Sequence, residues 1–212
     1  MNGKKRIVYW LPLCISVLCA AVTLAVYTAI NESRAPLVYL QISAASLIPA
    51  ILPVTSLIIK KDFPPFLNFL VTLHVILAMD LGNAMSFYWR FDFWDVMMHT
   101  YFGFLASIGL YVIFLMAGGN RMSKVVLLVA VFLSVMGCGA LWEVFEYVTD
   151  AMLDKDAQQV WASLEAGKNP VYDTMMDVIV TAVGSAVFYL ILLIDKLSGR
   201  RLESRLLGKF IG

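Results

Sequence analysis

Six apolar runs divide this chain of 212 residues, and each is long enough for a helix to cross a bilayer, which takes roughly 20 residues. The first, Ile7 to Ile30, is entered from Lys4, Lys5 and Arg6. The second, Leu37 to Ile59, carries Pro49 and Pro53, whose missing backbone donors predict a kink inside the membrane. Pro64 and Pro65 open the third, Phe66 to about Met85, at the position where an absent amide costs little. The fourth runs from about Trp94 to Ala117 and stops at Gly118-Gly119. The fifth runs from Lys124 to about Thr149 and the sixth from Val171 to Ile194. A secretory signal peptide begins as the first run does, but its apolar region is only about 7–15 residues. The longer run here predicts a retained helix.

The polar positions that interrupt these runs are mostly acids, and they recur at helical intervals: Asp80; Asp95 and His99; Glu143 and Glu146; Asp173 and Asp177. Asp150 continues the spacing of the fifth run as a rim member. A carboxylate at mid-bilayer costs about 2.5–3.5 kcal/mol on insertion scales, and such residues usually face a bundle interior and mark function. Residues three or four apart lie on one helix face, so each pair presents its side chains together. Small residues accompany the pairs: Gly103, Ala106 and Ser107; Ser134, Gly137, Gly139 and Ala140; Ala182, Gly184 and Ala186. Such residues allow membrane helices to approach closely.

Composition agrees with the pattern. The chain is 61% hydrophobic and 15% charged with a mean hydropathy of +0.82, outside the range of water-soluble domains. Residues 1–212 therefore read as a single all-α transmembrane domain, a polytopic six-helix bundle ending in a basic tail over 196–212. With the amino terminus in the cytoplasm, the inner segments hold Lys4, Lys5, Arg6, Lys60, Lys61, Arg121, Lys124, Lys196, Arg200, Arg201, Arg205 and Lys209, which is 12 of the 16 basic residues. The outer segments hold only Arg34, Arg90, Lys155 and Lys168. By the positive-inside rule both termini are cytoplasmic, and the acids of the third to sixth helices fall in the outer half of the bilayer.

Charge balance narrows the chemistry. Asp95, Glu143, Glu146, Asp173 and Asp177 face only His99 and Arg90 as cationic neighbours in sequence. Either several of the acids hold protons, or one or two metal ions sit among them. Carboxylates with one histidine suit a divalent Mg, Mn, Fe or Zn ion, and no cysteine lies near to offer thiolate. Two carboxylate-bridged metals are a device for activating water against a phosphoester. Asp80 with Asn83 reads as a helix-end cap or interface anchor and His74 as a hydrogen-bonded histidine outside the site. Cys14, Cys19 and Cys138 read as small apolar packing residues.

The stretches WDVMMHTYFGF at 94–104, GALWEVFEY at 139–147 and DTMMDVIVTAVG at 173–184 resemble the YjdF-type small bacterial inner-membrane proteins. More distantly they are similar to VanZ-like proteins, which share the order Asp-x-x-x-His, Glu, Asp-x-x-x-Asp along successive helices. The likeness covers the last three helices. It implies a shared polar site of Asp95, His99, Glu143, Glu146, Asp173 and Asp177 and a multi-pass place in the bacterial cytoplasmic membrane, with no reaction attached. Where that family often has a basic residue after the first aspartate, this chain has Val96.

Three functions fit these features. One is a metal-dependent membrane enzyme acting on a lipid or lipid-linked phosphate, with His99 or Glu146 as acid or base. Another is a proton- or cation-coupled transporter. The third is an accessory protein with a polar core. In the segment between the fifth and sixth helices, Val160, Trp161 and Leu164 form the apolar side of a short surface helix, a lid or an anchor. The basic tail, interleaved with Leu202, Leu206 and Phe210, suits anionic lipid. Nucleic acid is excluded as a partner, because no further basic surface accompanies that tail.

Overall fold

A computed structural model describes residues 3–31, 35–153, 155–199 and Leu207. The basic tail from residue 200 onward, Leu207 excepted, lies outside the described residues, as does Arg34. Among the described residues every regular element is helical. Six spans have the length and composition to cross a membrane: Ile7–Ile30, Pro36–Ile59, Pro65–Ala84, Trp94–Met116, Lys124–Leu153 and Tyr172–Leu197. Their outward faces stay apolar, with Leu18, Leu40, Ile58, Val125, Leu133 and Leu141 exposed, as lipid requires. Cys14 and Cys138 stand on these exposed faces rather than in the packing between helices. The chain divides into two compact units, Met1–Trp94 and Asp95–Gly212.

In the first unit, α1 (Gly3–Ile30) is one continuous helix. The second span breaks as its prolines predict. Helix α2 (Pro36–Ala45) gives way to one tight turn over Ile48–Ala50, and α3 (Ile51–Ile59) follows. The break falls at Pro49 alone, because Pro53 occupies the first turn of α3, where backbone amides have no helical partner anyway. Helix α4 (Pro65–Val75) continues into a widened π-helical stretch over Ile76–Ala84. There the Met85 amide donates to the Asp80 carbonyl, five residues back, at 3.2 Å. Buried polar links tie these helices together. Asn68 Nδ2 donates to the Tyr9 carbonyl at 3.1 Å, the Tyr9 hydroxyl donates to the Phe63 carbonyl, and Asn83 Nδ2 donates to Gln41 Oε1 at 3.0 Å. Asn83 thus anchors one helix to another. Asp80 is buried, 3% exposed, within the widened stretch.

After the single turn of α5 (Phe87–Arg90), the second unit is built on α6 (Trp94–Met116), α7 (Lys124–Leu153) and α9 (Tyr172–Leu197), with the short α8 (Val160–Glu165) before the last. Ladders of residues four apart dictate its packing. On α6 the ladder is Asp95, His99, Gly103, Ser107, Tyr111; on α9 it is Asp173, Asp177, Thr181, Ser185. A Cβ on Gly103 would come within 2.1 Å of the Thr181 carbonyl oxygen, and one on Gly184 within 1.9 Å of the Thr100 carbonyl oxygen, so only glycine allows this crossing. Beyond it the Ser107 and Ser185 hydroxyls bond at 2.9 Å, and the Tyr111 and Phe188 rings meet edge to face at 5.6 Å. Contact positions rise together along both helices, so α6 and α9 run parallel. Helix α7 buries Leu127, Val131, Val135, Gly139 and Glu143, again every fourth residue. A Cβ on its Gly139 would lie 3.5 Å from the Thr181 methyl, and the Tyr189 hydroxyl donates to the Leu128 carbonyl at 3.0 Å. Those pairings run in opposite directions, so α7 is antiparallel to α9. The starts of α6 and α9 and the end of α7 therefore share one end of the unit.

Candidate functional site

At that shared end the ladders terminate in charge. Each of the three helices carries acids in the turns at this end, the first turns of α6 and α9 and the last turns of α7, so the packing that seats Gly103 against Thr181 also sets His99 beside Asp177. His99 Nε2 lies 3.6 Å from Asp95 Oδ1 on its own helix and 3.6 Å from Asp177 Oδ2 on α9. One turn past Gly139, Glu143 points into the same space from α7, and Glu146 joins it.

Ligand atoms of Asp95, His99 and Asp177 all fall within 4.8 Å of one another, and so do those of Glu143, Glu146 and Asp177. Asp177 belongs to both triads. It is 2% exposed and Glu143 8%. Their surroundings leave oxygens without donors: Glu143 Oε2, Glu146 Oε2, Asp173 Oδ2 and Asp177 Oδ2 are buried and accept no hydrogen bond from any described residue. A buried carboxylate oxygen without a donor bears its desolvation cost uncompensated. Four such oxygens at one helix-bundle end are what a cation or protons would satisfy. The two triads differ in kind. One carries a histidine nitrogen beside two carboxylates, the donor set of a borderline transition metal. The other is all oxygen and suits a harder ion.

Five of the six residues singled out by the sequence share these two groups; Asp173 stands outside both triads, and so does Asp150. The Asp150 carboxylate accepts from the Ala157 and Gln158 amides at 2.7 and 3.0 Å, fixing the segment that follows α7. Sequence reasoning missed the residues that this segment delivers. Gln159 Nε2 donates to Asp173 Oδ1 at 2.8 Å and to Asp95 Oδ2 at 3.2 Å, so one amide bridges acids on α6 and α9. Gln158 Nε2 donates to Thr174 Oγ1 at 3.2 Å. Gln159 holds a left-handed φ of 49°, unusual for a residue with a side chain, and its position follows from the turn fixed by Asp150 and Asp156. Asp156 accepts from the Trp161 and Ala162 amides at 3.0 and 3.1 Å and so starts α8. Trp161 and Leu164 of the predicted apolar side stand exposed on that helix, while Val160 is half-buried and Ser163 buried. Glu146 Oε1 accepts from Trp142 Nε1 at 2.8 Å, a bond that Trp-x-x-x-Glu spacing on a helix makes available.

Six membrane-length helices and an acid-lined bundle end with one histidine define a polytopic integral membrane protein with an internal polar site. The chain matches, over residues 12–196, the family described as Predicted membrane protein (DUF2238), and it belongs to that family. The YjdF-type likeness is consistent with this match, which lends no support to the VanZ-like one. No curated protein and no solved structure matches the chain.

Proposed function

We propose that this protein is a divalent-metal-dependent enzyme of the bacterial cytoplasmic membrane that hydrolyses a phosphate ester on a lipid or lipid-linked substrate. The observation that carries the reading is Asp177, buried, with an oxygen lacking any donor among the described residues and shared by two potential ligand triads. Asp95, His99 and Asp177 would hold one ion, and Glu143, Glu146 and Asp177 a second, Asp177 being common to both sets. Such ions lower the pKa of bound water and offset the charge that builds on phosphoryl oxygens. Asp173, tied to Asp95 through Gln159, orients the first set. In hydrolysis the water oxygen bonds to phosphorus, the ester P–O bond breaks, and the departing alkoxide takes a proton. Glu146 would accept the proton of the attacking water and pass it to the departing alkoxide, while His99, its Nε2 directed at Asp95 and Asp177, would serve as a ligand.

The distribution of basic residues supports cytoplasmic termini and, with them, a site in the outer leaflet, where lipid headgroups are within reach. The exposed Trp161 and Leu164 of α8 suit contact with that interface. The test is phosphate release from a polyisoprenyl diphosphate and from phosphatidic acid in mixed micelles by the purified protein. Release should require added Mg, Mn or Zn and vanish in Asp177→Asn and in chelator. Release unaffected by either, or no release under any metal, overturns the enzymatic reading.

A further inference from the structure

The first unit contains a second feature, apart from the metal site and independent of it: a cavity of about 260 Å³ lined by Tyr9, Trp10, Pro53, Ser56, Leu57, Lys60 and Asp62. Its floor is built from packed residues, since Tyr9, Pro53 and Ser56 are buried. The Tyr9 hydroxyl is engaged with the Phe63 carbonyl, and Ser56 Oγ accepts from the Phe63 amide at 3.5 Å, so the segment after α3 is tied back to the cavity wall. Three spans have their ends here. Ile7–Ile30 begins, Pro36–Ile59 finishes and Pro65–Ala84 begins within a few residues of the lining. That is the depth of lipid headgroups, and the pairing of Trp10 and Tyr9 with Lys60 is the composition found there.

The lining also has a sidedness of charge. Leu57, Pro53 and the two rings give an apolar wall, while Lys60 and Asp62 contribute one cation and one anion. Lys60 is carried there by a left-handed φ of 56° that ends α3 and turns the chain sharply before Asp62. Opposite charges in one small cavity match a ligand with both signs and disfavour one that is anionic only. The volume lies just below the range of about 300–1,000 Å³ typical of sites for drug-sized ligands, so a small group fits.

We propose that this cavity is a binding site for the headgroup of an ethanolamine phospholipid, with Lys60 meeting the phosphate, Asp62 the primary ammonium, and Leu57 and Trp10 the first acyl carbons. A primary ammonium is specified because Asp62 accepts hydrogen bonds, which a quaternary choline cannot give. The lipid acts as a structural ligand bridging the start of α1 and the end of α3.

The test uses the full chain in mild detergent, offered equal amounts of phosphatidylethanolamine, phosphatidylglycerol and phosphatidylcholine with identical acyl chains, and reads retained lipid by native mass spectrometry. The ethanolamine lipid should be retained roughly fivefold over either competitor. Asp62→Asn and Lys60→Asn should each erase the preference; asparagine is chosen at Lys60 because it tolerates the left-handed backbone. Equal retention of all three lipids, preference for phosphatidylglycerol, or undiminished selectivity in both variants overturns the proposal. The selectivity of the unmodified chain decides the matter even where a variant unfolds.

Discussion

The crossing of α6 over α9 gives the sharpest quantitative prediction, because two glycines set both the packing and the site. In Gly184→Ala the new Cβ would lie 1.9 Å from the Thr100 carbonyl oxygen, and contacts under 3.0 Å are essentially never seen. The helices must part by about 1.1 Å, the difference between those two distances, and the obstacle is backbone that cannot rotate away. Overpacking of this kind costs about 1–3 kcal/mol, occasionally more. The displacement also reaches the site, because Asp177 lies two turns before Gly184 on α9 and faces His99 one turn before Gly103 on α6. A shift near 1 Å is enough to cost on the order of a hundredfold in function. Gly137→Ala is the control. Nothing lies within 4 Å of its Cβ position, so replacing a mid-helix glycine there should stabilise by roughly 0.5–1 kcal/mol. Denaturation in nanodiscs, followed by circular dichroism, and manganese titration of the same samples measure both effects. Equal stability and equal metal affinity in Gly184→Ala and the unmodified protein would refute the link between crossing and site.

Three further outcomes follow from particular contacts. Gln159→Gly suits the φ of 49° while removing the amide that bridges Asp95 and Asp173, so hydrogen exchange at the Ala157 and Gln158 amides should accelerate with little change in global stability; unchanged exchange there would mean the bridge does not hold the segment. A double-mutant cycle on Ser107→Ala and Ser185→Ala should return a coupling of about 0.6 kcal/mol, the usual worth of a side-chain hydrogen bond between membrane helices, and a coupling of zero would remove that bond from the packing. With the native cysteines replaced, a cysteine at Lys168 should react with a membrane-impermeant maleimide in intact cells and one at Asn120 should not; the reverse pattern would invert the proposed topology.

The spans were legible because hydropathy is a local property and bilayer thickness imposes a length. So was the kink of the second span, since Pro49 lacks the donor a helix needs there. The widened stretch over Ile76–Ala84 carries no comparable local sign, and the third run reads as an ordinary helix in sequence. The six candidate residues were legible because acids are costly in apolar runs, and spacing of three or four residues assigns them to faces. Gln159 could not. It is neither charged nor inside a run, and it reaches Asp95 across 64 residues through a turn set by Asp150 and Asp156. The cysteines mislead for a related reason: an apolar run shows that a residue lies in the membrane but not whether it faces lipid, as Cys14 and Cys138 do.

Metal content of the purified protein, measured by elemental analysis after exposure to Mg, Mn, Fe and Zn, tests the central claim most directly. Two equivalents of one or more of these ions are predicted for the unmodified chain, one for Asp95→Asn, which breaks only the triad with His99, and none for Asp177→Asn, which removes the shared ligand. Substoichiometric metal in the unmodified protein, or full loading of Asp177→Asn, would contradict a metal centre built on these acids.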